Sequence, residues 1–146
     1  MQNASRGSSV VVTVGGDDKK VAANTGERAV VDQNSRDVYL YSDIDSVSAA
    51  KCVSELRKAK RDAAFSCSVL GIDALPPRLH INCNGGAVFD SWSIADVVKE
   101  VGAETYIEGN CASGASLVAF SGSWRYMTAH SYVLIHQLNG CMWGTF

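Results

Sequence analysis

The sequence predicts an α/β fold in which helices pack on a mostly parallel sheet. Two observations carry this prediction. Short β-prone runs alternate with longer stretches whose apolar residues recur at three- and four-residue spacing, and 47% of the 146 residues are hydrophobic. A chain of this length holds one domain, or one domain and a tail. With 19% charged residues and a net charge of −2, it lacks the basic excess of a dedicated nucleic-acid binder.

Composition also favours a soluble protein of the cytoplasm. No apolar run approaches the roughly 20 residues that cross a bilayer, and the first residues lack the apolar core of a secretory signal. The five cysteines are odd in number and form no C-x-x-C pair, so we expect neither a disulfide framework nor a zinc site. We expect most of them to be small buried hydrophobes, and we predict no cofactor or metal.

We divide the chain into a flexible N-terminal arm, residues 1–36, and a core, residues 37–146. The arm is rich in Ser, Gly, Asn and Asp, has no aromatic residue and contains one alternation typical of a strand, Val10–Val14. In the core, a helix of about five turns is expected to start at Asp45 or Ser46 and to run to Ala63. The remaining predicted elements are strands at Val38–Tyr41, Leu79–Asn82, Thr105–Glu108, Arg125–Thr128 and Tyr132–His136, and helices through Ile94–Val101 and Ala115–Phe120.

Three short segments that each follow or end a predicted strand are candidates for chemistry. Gly85 and Gly86 permit close backbone approach, so their amides can point at an oxyanion, although this segment taken alone is more typical of a plain strand-to-helix turn. Ser113 lies where a strand gives way to a helix N-terminus, a position that suits a nucleophile and also an ordinary N-cap serine. His136 ends an apolar strand as either a structural or a catalytic histidine.

Together these segments resemble the motifs of the proteolytic subunit of the ATP-dependent Clp protease. Residues 81–86, INCNGG, are similar to that family's I-N-S-P-G-G motif. Residues 109–113, GNCAS, are similar to G-x-x-A-S, and residues 134–138, LIHQL, to M-I-H-Q-P. Motif order and approximate spacing are kept over residues 37–146. The resemblance implies a ClpP/crotonase-like fold of repeated β-β-α units, incomplete at the C-terminus.

The resemblance also implies roles for individual residues in a serine endopeptidase. Ser113 attacks the peptide carbonyl, and His136 takes its proton and returns it to the leaving amine. The backbone N–H groups of Gly86 and Gly114 form the oxyanion hole, and the Gly85-Gly86 edge holds the substrate in extended form. Ser116 is the competing serine, three positions beyond the motif serine.

Several positions depart from the family pattern and suggest a divergent, phage-encoded member. Cys83 and Asn84 stand where the family has Ser and Pro, so the turn is expected to be less rigid. Leu138 replaces a Pro, and Gly114 replaces a residue that is often Met, which should loosen the nucleophile turn.

The family's third catalytic residue, an Asp about fifty residues beyond the histidine, has no counterpart in this sequence. We therefore interpret the chain as a truncated or partial member and expect weak or absent peptidase activity from it alone, since replacing this Asp in serine proteases lowers kcat on the order of 10⁴-fold. Two alternatives stay open: a catalytically silent subunit with a role in assembly, and a crotonase-type acyl-CoA enzyme, which shares the backbone oxyanion hole without needing Ser113 and His136.

The resemblance implies partners as well. Peptides or unfolded proteins are the expected substrates, a ring-forming homo-oligomer is the expected assembly, and an AAA+ unfoldase is the expected companion. We expect no binding to nucleic acid or membranes.

Overall fold

The computed structural model describes residues 9–12, 27–31 and 36–137. Their helices and strands are β1 (Ser9–Val12), β2 (Glu27–Val31), β3 (Asp37–Leu40), α1 (Ser46–Leu70), β4 (Arg78–Cys83), α2 (Val88–Val101), β5 (Glu104–Ala112), α3 (Gly114–Phe120), β6 (Arg125–Met127) and β7 (Tyr132–Leu134).

The main sheet is parallel at every described strand pair, as the alternation of strands and helices predicts. Its order is β3-β4-β5-β6, and β7 also pairs with β5. The first half of β5 pairs with β6 through residues 105–107, and its second half pairs with β7 through residues 110–112. The predicted α/β fold with a mostly parallel sheet is therefore confirmed.

The two faces of the sheet differ because residues along a strand point alternately to opposite sides. One face is aliphatic, lies under the helices and forms the core with α1, α2 and α3. The other face carries aromatic and charged side chains that remain partly exposed. We call the first the covered face and the second the open face. The covered side chains of β3, β4 and β5 include Val38, Leu40, Leu79, Ile81, Thr105 and Ile107.

Aromatic rings from four neighbouring strands form a stack across the open face. The ring of His80 lies between those of Tyr39, at 4.9 Å, and Tyr106, at 5.1 Å, and Tyr126 stacks on Tyr106 at 4.5 Å. His80 Nδ1 lies 2.8 Å from a carboxylate oxygen of Glu108. His80 thus belongs to the ring stack and also contacts a carboxylate.

Helix α1 begins where the sequence predicts and extends further than expected. Its N-cap is Asp45, whose carboxylate accepts a hydrogen bond from the Ser48 amide while the Asp45 amide donates to Ser48 Oγ. The helix spans 25 residues and ends before Gly71, which has the left-handed φ of 66°. The prediction of about five turns was too short, because the buried stripe continues from Ala63 to Cys67 while Phe65 and Val69 lie on the exposed side of the helix. In the described ranges, no helix is both long and apolar enough to cross a membrane.

Other boundaries also differ from the predictions. Strand β5 runs to Ala112, four residues beyond its predicted end, and the predicted strand at residues 132–136 stops at Leu134, so His136 lies in the segment after it. In the arm, β1 covers only part of the predicted Val10–Val14 strand, and it pairs in parallel with β2, which the sequence analysis missed. The remainder of residues 1–35 lies outside the described residues, and the arm boundary stays a prediction.

Candidate active site

The candidate residues meet at the carboxyl edge of the parallel sheet, where successive strands end. The turn after β4 holds Gly85 and Gly86, the turn after β5 holds Ser113, and the segment after β7 holds His136. Because the strands are parallel and neighbouring, these three segments lie side by side. Ser113, Gly114 and His136 line one cleft of about 240 Å³ with the apolar side chains of Val88, Trp92, Leu117 and Ile135, and with Ser116.

Ser113 has an unusual backbone conformation. Its φ of 54° and ψ of −123° make it the one non-glycine residue with positive φ in the described part of the chain. Such a conformation costs of order 1–3 kcal/mol and persists where the surroundings enforce it. Here the Ser113 amide donates to the Leu134 carbonyl at 2.9 Å, and the Ser113 carbonyl accepts from Ser116 Oγ at 2.6 Å. These bonds hold the serine in a sharp strand-to-helix turn.

The Ser113 side chain does not act as a helix cap. Ser113 occupies the N-cap position of α3, yet its side chain makes no capping hydrogen bond. Ser116 is the less accessible serine, because only 4% of it is exposed and its hydroxyl is bonded to the Ser113 carbonyl. The interpretation of Ser113 as an ordinary N-cap serine therefore lacks its expected bond, and Ser113 lines the cleft.

His136 reaches the same cleft but is not hydrogen-bonded to Ser113 among the described residues. Its Nδ1 lies 2.7 Å from the backbone carbonyl oxygen of Gln137. A carbonyl oxygen only accepts, so Nδ1 carries the proton and donates it. In the neutral ring, Nε2 then bears the lone pair that a general base needs.

The Gly85-Gly86 turn is pressed between two other backbone segments. Gly85 has φ of 95°, and a β-carbon there would lie 2.5 Å from the Ala112 carbonyl oxygen and 2.8 Å from the Gly114 amide nitrogen. Gly86 has φ of 149°, and a β-carbon there would collide with the Ile44 backbone. Positive φ therefore favours glycine at both positions. Close approach adds to this requirement, to the nucleophile segment at Gly85 and to the Ile44 backbone at Gly86.

One edge of this turn is occupied and the other is free for a ligand. The Ile44 amide donates to the Gly85 carbonyl at 2.7 Å, and the Ala87 amide donates to the Ile44 carbonyl at 2.9 Å. Consecutive residues of an extended segment direct their N–H and C=O groups to opposite sides, so the Gly86 groups point away from Ile44. Among the described residues, no acceptor bonds the amide of Gly86 or that of Gly114.

The substitution of Asn84 for the family's proline is compensated by side-chain hydrogen bonds. The Asn84 amide nitrogen donates to Asp43 at 2.9 Å, and its amide oxygen accepts from the Asn110 side chain. The Gly85 amide also lies 3.2 Å from Cys83 Sγ. These bonds connect the turn to the β3–α1 loop and to β5. The expectation of a less rigid turn did not take them into account.

Nearby cysteines are poor competitors for the role of nucleophile. Burial raises the pKa of Cys111, two residues before Ser113, to about 11, and burial also raises the pKa of Cys83 in the glycine turn. Both thiols are therefore protonated at neutral pH, and the thiolate is the reactive form. Cys52 and Cys67 are buried as well, as predicted, while Cys141 lies outside the described residues.

In the described ranges, no cluster of three or more His, Cys, Asp or Glu side chains is arranged to hold a metal ion.

The sequence analysis missed Ser91, which lies directly beneath the nucleophile turn. Ser91 is fully buried on α2, its hydroxyl donates to the Ala87 carbonyl at 2.8 Å, and a β-carbon on Gly114 would collide with its Oγ. The signal was present, because Ser91 precedes Ile94, Ala95 and Val98 at helical spacing on the buried face of α2.

Comparison with known proteins identifies the fold and the family. A model of the Clp protease family matches residues 28–145. A ClpP1 mutant from Listeria monocytogenes has a similar structure, with a TM-score of 0.63 and 21% identity over 73% of this chain and 59% of that one. The ClpP protease catalytic domain from Plasmodium falciparum is similar with a TM-score of 0.59 and 23% identity, over 69% of this chain and 55% of that one. No curated protein sequence matches.

These comparisons confirm the resemblance that the three motifs indicate. The chain spans somewhat more than half of the length of the two solved proteins. The similarity at 21% and 23% identity establishes the shared fold, and the family model covers most of the chain, including all three motifs. The chain therefore belongs to the Clp protease family.

Proposed function

We propose that this protein is a serine endopeptidase of the Clp proteolytic type, with Ser113 as nucleophile and His136 as general base. The observation that carries the proposal is the strained turn at Ser113, whose side chain makes no capping bond and which lines the same cleft as His136. Strain of this kind is characteristic of functional turns. The family assignment supports a peptidase, and the residue roles are our inference.

In the proposed reaction, Ser113 Oγ attacks the carbonyl carbon of a peptide bond. His136 Nε2 takes the hydroxyl proton as the C–O bond forms and later gives it to the leaving amine. Water then attacks the acyl-enzyme ester with the same histidine as base. In the free enzyme the bond between His136 and the Gln137 carbonyl supports this role, because it keeps the lone pair on Nε2.

Negative charge that develops on the substrate oxygen requires two converging N–H groups. The amides of Gly86 and Gly114 are our proposed pair, supported by the lack of an acceptor for either in the described part of the chain and by the close contact of their segments. The free edge of Gly86 supports binding of an extended peptide by backbone pairing. The apolar part of the cleft, with Trp92 and Leu117, then accommodates one apolar side chain of that peptide.

Labelling with a fluorophosphonate probe tests this proposal. We expect the wild-type chain to be labelled and Ser113→Ala to lose labelling completely, because the probe needs an activated serine hydroxyl. Ser93→Ala, on the exposed side of α2, is the matched control for a serine-to-alanine change. Labelling that survives Ser113→Ala contradicts the assignment, and labelling that disappears in Ser116→Ala but persists in Ser113→Ala assigns the competing serine.

A catalytically silent assembly subunit is the second candidate, and one observation favours it. His136 Nδ1 is bonded to a backbone carbonyl rather than to a carboxylate. A carbonyl fixes the tautomer but gives the imidazolium less electrostatic stabilisation than an acid does. A silent subunit would leave the wild-type chain unlabelled by the probe while it still co-assembles with active subunits. The crotonase-type alternative has no such support, because the matching family is that of the Clp proteases.

Assembly and partners form the remaining part of the proposal. We propose a ring-forming homo-oligomer that works with an AAA+ unfoldase on peptide or unfolded-protein substrates, in the cytoplasm. The exposed rings of Tyr39 and Tyr126 on the open face support the existence of a contact surface there. Sedimentation of the purified chain tests the oligomer, since a monomer at all concentrations contradicts it.

A further inference from the structure

Ser91 and Gly114 form a tight contact between α2 and the nucleophile turn. Ser91 is completely buried, and its hydroxyl hydrogen is committed to the Ala87 carbonyl at 2.8 Å. The Oγ atom then occupies the space in which a side chain at position 114 would begin, since a β-carbon on Gly114 would collide with it. The backbone of Gly114 itself lies outside the left-handed region, so only Ser91 makes glycine necessary there.

The same contact borders both amides of the proposed oxyanion hole. The position of a β-carbon on Gly114 is 3.1 Å from Ser91 Cβ and 3.6 Å from the Gly86 amide nitrogen. The Ala87 carbonyl accepts the hydrogen bond from the Ser91 hydroxyl, and Ala87 directly follows Gly86. Ala87 is also the N-cap residue of α2, where no side chain makes a capping bond. Ser91 therefore bonds to the segment that carries one amide and packs against the residue that carries the other.

We propose that Ser91 is a positioning residue that sets the separation of the Gly86 and Gly114 amides, and so the geometry of the oxyanion hole. This inference rests on the proposed function of the site. A hole of this type acts only if both N–H groups lie within hydrogen-bond distance of one oxygen, so a small change in their spacing lowers the rate. Ser91 compensates for the glycine at position 114, which the sequence alone had suggested would loosen the turn.

Reciprocal substitutions test the contact. We expect Ser91→Ala to slow fluorophosphonate labelling about tenfold, less than the roughly 10²–10³-fold effect of deleting a donor from the hole. We expect Gly114→Ala to slow labelling about a hundredfold, because the new methyl group displaces the turn from Ser91 Oγ. Adding Ser91→Gly to Gly114→Ala removes the colliding hydroxyl and should restore most of that loss. Ser93→Ala, exposed on the same helix, should label at the wild-type rate.

The midpoint of thermal unfolding, measured on the same variants, separates positioning from folding. A residue with a structural role only would lower the midpoint and leave the labelling rate of the folded protein unchanged. Labelling of Ser91→Ala at the wild-type rate, or a double variant no faster than Gly114→Ala, overturns the inference while the Ser113 assignment stands. A wild-type chain that is not labelled at all overturns the proposed function and this inference with it.

Discussion

The covered and open faces of the main sheet are stabilised by different interactions. On the covered face, the apolar side chains of Leu79 and Ile81 are fully buried. They stabilise the fold because their apolar surface is removed from water. On the open face, the same strand presents His80, held by carboxylates and stacked rings. The covered face therefore provides stability without specific partners, whereas the open face has a pattern of rings and charges that remains accessible to other molecules.

The polar contacts of the open face form a connected set. Tyr41 donates to Glu108 at 2.5 Å, and Glu108 also contacts His80. At the other end, Asp37 accepts a hydrogen bond from Arg78 Nη2 at 3.0 Å and lies 3.4 Å from the second ring nitrogen of His80. The hydrogen bond from Tyr41, followed by the one to His80, lowers the pKa of Glu108. One strand can thus contribute both to the apolar core and to a set of polar contacts, because its side chains alternate between the two faces.

The largest expected effect is the removal of a core side chain from the covered face. Leu79→Ala should lower the free energy of unfolding by about 2–5 kcal/mol, because Leu79 is fully buried and its truncation leaves a cavity in the core. Urea unfolding followed by circular dichroism measures this loss. Tyr39→Ala, one strand away on the open face, is the control and should lose clearly less. Equal losses from the two variants would break the distinction between the faces.

The next effect is a loss of stability at high pH, to which both faces contribute. Burial raises the pKa of Cys52 on the covered side to about 12, while the hydrogen bond to Glu108 raises the pKa of Tyr41 on the open face to about 12. A raised folded pKa gives stability that is complete below the unfolded pKa, about 9 for thiols and 10 for tyrosines, and is lost as the pH rises through the folded value. The free energy of unfolding should therefore fall from pH 9 to 12.

Two variants separate these contributions in a series of urea titrations at fixed pH values. Cys52→Ala should flatten the part of the decline that begins near pH 9, and Tyr41→Phe should flatten the part that begins near pH 10. A decline that both variants leave unchanged would show that these groups do not carry it.

A smaller effect is expected from the hydrogen bond between the Tyr41 hydroxyl and Glu108. Tyr41→Phe should lower the free energy of unfolding at pH 7 by about 1 kcal/mol, since the bond involves a charged acceptor but half of the Tyr41 side chain is exposed. Equilibrium unfolding in urea gives this value. Tyr132→Phe is the control, because the structure gives that exposed hydroxyl no partner among the described residues. An equal loss in both variants would contradict the specific role of Glu108.

The smallest effect should come from the end of the aromatic stack. Tyr126→Ala should lower the free energy of unfolding by about 0.5–1 kcal/mol, because the ring stacks on Tyr106 but remains 44% exposed. Differential scanning calorimetry at neutral pH measures the shift in the unfolding midpoint. Tyr126→Phe should retain the stack and the midpoint; a loss as large as that of the alanine variant would assign the effect to the hydroxyl.

The parts of the fold that sequence predicted are those set by local patterns. Asp45 before an apolar stripe predicted the start of α1, and the alternation of elements predicted the parallel sheet. The C-terminal part of α1 was missed because the apolar residues Phe65 and Val69 lie off the buried stripe that Cys67 continues, although Gly71 marked the true end. The pairing of β2 with β1 was missed because strand pairing is non-local. The polar composition of the arm also did not indicate a second strand.

The candidate site was predictable as a set of residues but not as a geometry. The motifs placed Ser113, His136 and the glycines, and the structure brings Ser113, Gly114 and His136 to one cleft with the Gly85-Gly86 turn against it. The positive φ of Ser113 and the contact of Ser91 with Gly114 could not be read from sequence. Both depend on segments that approach each other only in the folded chain.

The parallel pairing of every strand in the main sheet has a consequence for how the chain folds. Asp37 and Arg78 are paired across a separation of 41 positions, and even the consecutive strands β6 and β7 pair with β5 rather than with each other. Among the described strands, no hairpin can therefore nucleate this sheet, and each pairing must first close a long loop at an entropic cost. Proteins dominated by such contacts refold slowly. The strand that carries the glycine turn can pair on both sides only after β5 has been synthesised, so the candidate active site is assembled late.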